Sequence, residues 1–181
     1  MKAHHLLLAL GLTLAACEKK PEDNTAVVQE APAVASDELQ KVFNTPLAGE
    51  PKAIHKVRKS VKSGDELTLK GRVMGNLHPF VEGRSIFILG DTEKLTACSD
   101  MPGDACETPW DTCCDAPELI KEGTATIQVL DADGKVLKEK IETVNGLNKL
   151  SYVVVSGKVA EGSTEDLLLL NASAIKVTEK E

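Results

Sequence analysis

Two stretches of the chain share one pattern: Leu67-Thr68-Leu69-Lys70-Gly71-Arg72-Val73 and Val153-Val154-Val155-Ser156-Gly157-Lys158-Val159. Each is β-rich, and each places a glycine before a basic residue and a valine. In the first, Leu67, Leu69, Gly71 and Val73 alternate with polar neighbours, which is the period of a strand with one buried face. Glycine inside such a strand marks a sharp bend or a close backbone approach. A small closed barrel needs such bends, because long strands must curl to pair with a neighbour on each side.

The stretches around these two extend the pattern. Arg84 to Leu89 (RSIFIL) predicts a second strand with deeper burial, and Thr124 to Leu130 (TATIQVL) a third. Asp131-Ala132-Asp133-Gly134 then predicts a tight turn, with Gly134 supplying the positive φ, into a hairpin strand at Lys135 to Ile141. Lys135 stands where a calcium loop would need another oxygen ligand, so the two aspartates read as turn residues. Leu150 to Val159 and Asp166 to Val177 complete five or six strands joined by short connections, which favours a small barrel or sandwich. The first strand's glycine pattern, the Ile86 to Asp91 run ending in aspartate, and the late strand that repeats the glycine resemble the OB-fold over about residues 64–178. The fold class expected is therefore mainly β: a small OB-fold-like barrel of five to six strands with a Cys-rich loop insertion, preceded by a short helix and a disordered tether. That fold hosts many activities, so the likeness carries no function.

The amino-terminal end concerns location. Lys2 is followed by a Leu- and Ala-rich run from Leu6 to Ala15, about ten residues, against the ~20 that a bilayer-spanning helix requires. The ending Leu14-Ala15-Ala16-Cys17 resembles the lipobox of bacterial lipoproteins. The resemblance implies a signal peptide over 1–16, acylation of Cys17, and attachment to the membrane through its acyl chains; two or more such chains hold stably. Glu18, rather than aspartate, after that cysteine resembles an outer-membrane address, so the expected location is the bacterial cell envelope, lipid-anchored to the outer membrane and facing the periplasm. Residues 17–51, rich in Ala, Pro, Glu and Asp, predict a lipidated flexible tether, with Asp37 capping a short helix over DELQKVF. The domain is expected over 52–181. It would open with an amphipathic helix over 52–62 that buries Ile54, Val57 and Val61 and leaves its basic residues solvated; the alternative is a basic patch for an anionic partner. His55 and His78 are isolated in sequence and are not expected to be ligands.

Charge and composition narrow the partners. Lys and Arg number 21 against 28 Asp and Glu, net −7, and loss of Lys2 with the leader makes the remainder −8. Such a chain repels nucleic-acid backbones. Its few aromatics, Phe43, Phe80, Phe87, Trp110 and Tyr152, offer little for base stacking. Nucleic acid is thus an unlikely partner, and oligonucleotide binding through the OB-like fold is kept as an alternative. GDELTLKGRV, PFVEGRSIFILGD, PGDAC, TPWDTCC, VVVSGKV and LNASAI together make the chain similar to a group of uncharacterised bacterial envelope proteins, which implies fold and location only. The haem chaperones of cytochrome maturation share the fold class, but their C-terminal His and Tyr motif is missing here.

Four of the five cysteines, Cys98, Cys106, Cys113 and Cys114, lie in one acidic loop, residues 98–118, between the second and third expected strands. Their C-x7-C-x6-C-C spacing differs from the pairs two to four residues apart that clasp zinc. It is also not a Cys-x-x-Cys redox motif. The first expectation is two structural disulfides, Cys113 and Cys114 each taking a distant partner in Cys98 or Cys106, which would brace a loop too poor in apolar residues to build its own core. The alternative is a soft or borderline metal ion such as zinc or copper held by the four thiolates, with Asp100, Asp104, Glu107, Asp111 and Asp115 nearby. A third reading is a reactive vicinal pair at Cys113 and Cys114; the surrounding carboxylates disfavour it by raising thiol pKa values. No nucleophile elbow, His-Glu-x-x-His or phosphate loop occurs. The expected role is non-enzymatic: no catalytic residues, no cofactor unless the loop holds a metal, and binding of an envelope protein or small ligand.

Overall fold

The computed structural model describes residues 35–103 and 105–180. The fold is a closed five-stranded barrel with one extra strand at its edge. The elements run α1 (Asp37–Asn44), β1 (Lys52–Ala53), α2 (Ile54–Val57), β2 (Glu66–Val73), β3 (Ile86–Gly90), α3 (Pro117–Gly123), β4 (Thr124–Gln128), β5 (Tyr152–Val159) and β6 (Leu169–Thr178). The sheet order is β1-β2-β3-β4-β6-β5, and β5 pairs back onto β2 to close the cylinder. All barrel pairs are antiparallel except β4 with β6, which is parallel, as is the edge pair β1 with β2.

The two glycine strands form the seam that closes the barrel: β2 and β5 pair from Glu66↔Lys158 to Arg72↔Tyr152. At Gly71 a β-carbon would lie 2.5 Å from the carbonyl oxygen of Gly90. At Gly157 it would run into the carbonyl oxygen of Asn171, where a register shift between Ser156 and Gly157 kinks β5 against β6. Both glycines thus mark the close approaches that their sequence pattern predicts. Inside, Leu69, Val73, Phe87, Leu89, Ile127, Val153, Val155, Leu170 and Ile175 make the core, with α1 and α2 adding Leu39, Val42, Ile54 and Val57.

Three expectations are corrected. The tether was expected to reach residue 51, but α1 packs on the domain through Leu39 and Val42, both buried. Its N-cap is Ser36 rather than Asp37: the Ser36 hydroxyl accepts from the Leu39 N–H and donates to Glu139 Oε2 at 2.5 Å, while the Ser36 N–H donates to Oε1 at 2.8 Å. A long-range partner therefore fixes a helix that three apolar residues could not hold alone. The helix expected over 52–62 is one turn, because Lys52 and Ala53 pair with β2 first. Its basic face is not wholly solvated either. Arg58 is 6 % exposed, donating to the carbonyl oxygens of Thr124 (2.5 Å) and Glu165 (3.0 Å). Burial pushes the Arg58 pKa down, opposed by the charges of Asp166 and Glu122. The third is the hairpin after β4, which shrinks to a single bridge, Leu130↔Val136, although its turn forms as expected, with Gly134 at φ +77°.

Candidate metal centre

The cysteine loop leaves the barrel between β3 and β4, as expected for an insertion. It stands on a small apolar base of Met74, Leu95 and Ala97, packed against Ile120 and Leu150 and separate from the barrel core. A 3₁₀ turn over Cys98–Asp100 starts it. The chain then folds back on itself: the Cys98 N–H donates to the Asp111 carbonyl (2.8 Å) and the Ser99 N–H to that of Pro109 (2.9 Å). These two bonds bring residues at opposite ends of the loop together, which the linear spacing of the cysteines does not reveal.

The flap is also tied to the barrel. Arg72 on β2 pairs with Asp100 at 2.6 Å and lies 5.1 Å from the ring centre of Tyr152 on β5. Its Nε donates to the carbonyl of Leu150, whose φ of +68° is unusual for a bulky residue. Trp110 donates from Nε1 to the Leu77 carbonyl (2.9 Å), and Lys149 lies 3.9 Å from its ring centre. The Gly75 N–H donates to the Trp110 carbonyl. The flap is thus held to the barrel by charge, ring and backbone contacts.

The sulfurs of Cys98, Cys113 and Cys114 lie within 4.8 Å of one another. Cys98 is buried, whereas Cys113 and Cys114 are exposed. Burial, followed by contacts with Cys113 and Cys106, pushes the Cys98 thiol up to about 12. Cys106, half-buried, thus touches Cys98, and its sulfur lies 3.3 Å from the Thr108 hydroxyl. Three of the four expected residues therefore form one group, with Cys106 bearing on it through Cys98.

The spacing bears on the chemistry. Cys98 Sγ and Cys113 Sγ are 3.8 Å apart, and all four cysteines are thiols. A disulfide requires about 2.05 Å. Four thiolates at the zinc–sulfur distance of about 2.3 Å form a tetrahedron with an edge of about 3.8 Å. The two disulfides expected from sequence are therefore not formed here.

Among the described residues the carboxylates do not join the cluster, which contains cysteines alone. Asp100 is taken by Arg72, Asp111 Oδ1 accepts from the Thr112 N–H, and Asp115 Oδ2 accepts from the Thr96 N–H. Asp104 and Cys17 lie outside the described residues. Beside Cys113, Thr112 is fully buried and its hydroxyl has no hydrogen-bond partner.

No matching family model, curated protein or solved structure is found for this chain.

His55 has a use that its isolation in sequence conceals. Its Nδ1 lies 2.7 Å from Asp91 Oδ2, which also accepts from the His55 N–H, while Asp91 Oδ1 accepts from the Glu93 N–H. Asp91 is 1 % exposed, so this carboxylate at the end of the β3 run ties α2 to the barrel. A cleft of about 400 Å³ opens near the base of the flap, lined in part by Lys70, Met74, Thr96, Asp100 and Tyr152. No helix among the described residues is long and apolar enough to cross a membrane.

Proposed function

We propose that the protein is a non-enzymatic, metal-binding lipoprotein of the bacterial cell envelope. Cys98, Cys113 and Cys114, with Cys106 against Cys98, bind one soft or borderline ion such as zinc or monovalent copper. The observation that carries the reading is the 3.8 Å separation of Cys98 Sγ and Cys113 Sγ within a three-sulfur group. Thiolates prefer these ions, and a donor set of sulfur alone gives magnesium and calcium no oxygen ligands. One buried and two exposed sulfurs make a site that an ion can enter from solvent. The lipobox-like Leu14-Ala15-Ala16-Cys17 supports anchoring at Cys17 and a location in the envelope.

The test is the mass of the intact mature chain, purified without reductant and sprayed under native conditions. Metal binding predicts one zinc or copper ion per chain, lost in Cys98→Ser and in Cys113→Ser. A metal-free mass four hydrogens short of the reduced chain would instead establish two structural disulfides. The same spectrum reads the anchor: acyl chains on Cys17 raise the mass, and Cys17→Ser removes them.

A further inference from the structure

We propose that the site is redox-gated: oxidation joins Cys98 to Cys113 and expels the ion. The inference rests on the metal reading above and adds its regulation. The geometry points to Cys98 and Cys113, whose sulfurs face each other across the fold-back of the loop. The two sulfurs are 3.8 Å apart and already in contact, so closure to about 2.05 Å needs a shift of roughly 2 Å. The segment that must shift is an insertion flap with its own small apolar base, separate from the barrel core, so closure leaves the barrel intact. Access is asymmetric, because Cys113 is exposed and Cys98 is buried behind it. An oxidant from solvent therefore meets the exposed Cys113 before the buried Cys98, and Cys98 is placed to resolve the product.

With hydrogen peroxide as the oxidant, the chemistry balances. The Cys113 thiolate attacks one peroxide oxygen; the O–O bond breaks, hydroxide leaves, and Cys113 becomes a sulfenic acid. The Cys98 sulfur then attacks the sulfenic sulfur, an S–S bond forms, and the sulfenic oxygen leaves as water with the Cys98 proton. Two thiols are oxidised by two electrons, and one peroxide is reduced to two waters. A bound ion shares the lone pairs that attack, so occupancy slows oxidation without blocking it, and attack begins when the exposed Cys113 sulfur leaves the ion. Once the bond forms, two of the three clustered thiolates are gone, and Cys114 with Cys106 no longer makes a full donor set. The same pair thus holds the ion while reduced and forms a disulfide when peroxide reaches it.

The experiment uses the mature chain, reduced and loaded with one equivalent of zinc under argon. It is then treated with hydrogen peroxide in the presence of a colorimetric zinc chelator, and the thiols are mapped by differential alkylation and peptide mass analysis. The expected result is a Cys98–Cys113 disulfide and release of one zinc per disulfide formed, restored on reduction. Cys114→Ser should still form that bond, and Cys113→Ser should not. Zinc uptake followed by a Cys113–Cys114 or Cys98–Cys106 bond, or by zinc retention after Cys98 and Cys113 have joined, would overturn the gate and leave the metal reading standing. Failure of the reduced chain to take up zinc would overturn both.

Discussion

Replacing Gly157 by alanine tests the barrel wall where β5 and β6 approach each other closely. A β-carbon there meets the carbonyl oxygen of Asn171, and lies 3.0 Å from that carbonyl carbon and 3.1 Å from Ala172 Cα. All three are backbone atoms of β6, so no side chain can swing aside; the strands must separate where β5 is already kinked. Overpacking costs about 1–3 kcal/mol in general, and a clash with backbone alone belongs at the upper end, about 3 kcal/mol. For a domain of this size that corresponds to a fall in Tm of roughly 6–12 °C. Gly134→Ala is the control. Its site is open, but its φ is +77°, so it carries backbone strain of about 1 kcal/mol and no clash. Thermal unfolding of both variants, followed by circular dichroism, separates the two costs. A Gly157→Ala loss no larger than that of Gly134→Ala would refute the claim that close approach, rather than conformational freedom, requires glycine in this strand.

Three further outcomes follow from specific contacts. Asp91→Ala removes a buried acceptor of two backbone N–H groups and the His55 ring, and should destabilise the fold by about 3 kcal/mol in urea unfolding; a loss below 1 kcal/mol would contradict its role in tying α2. The hydrogen bond from Lys56 holds the Glu93 pKa below its ordinary value, assisted by the charges of Lys56 and Lys70 and opposed by desolvation and Asp91. Its folded pKa is depressed, so the stability it contributes is present above the unfolded pKa of about 4.3 and is lost as pH falls through the folded pKa. Lys56→Met should raise the Glu93 titration midpoint seen by NMR, and an unchanged midpoint would contradict this cause. Thr112→Val exchanges a buried, unpartnered hydroxyl for a methyl of like shape and should stabilise the protein by about 1 kcal/mol, whereas a clear loss in Tm would mean the hydroxyl has a partner that matters.

The barrel was legible because its signals are local. Period-two alternation and glycine before a basic residue each report the backbone of their own strand, and both glycines stand where strands nearly touch. What escaped depends on partners far along the chain. Helix α1 is held through Glu139, about a hundred residues from Ser36, so its three apolar residues look too sparse within an Ala- and Pro-rich segment. Arg58 looks like one more basic residue on a helix face, until the carbonyls of Thr124 and Glu165 are placed around it. The cysteine loop yielded its residues but not its geometry. Ligand-spacing rules presume that neighbours in sequence clasp the ion at one turn. Here Cys98 reaches Cys113 because the backbone folds back at Asp111 and Pro109.

X-ray absorption at the zinc edge, recorded on the reduced mature chain carrying one equivalent of zinc, tests the sulfur site most directly. The proposed thiolate site predicts a first shell of three to four sulfurs at about 2.3 Å. A shell of oxygen and nitrogen alone at about 2.0 Å, or zinc that washes away on desalting, would contradict it.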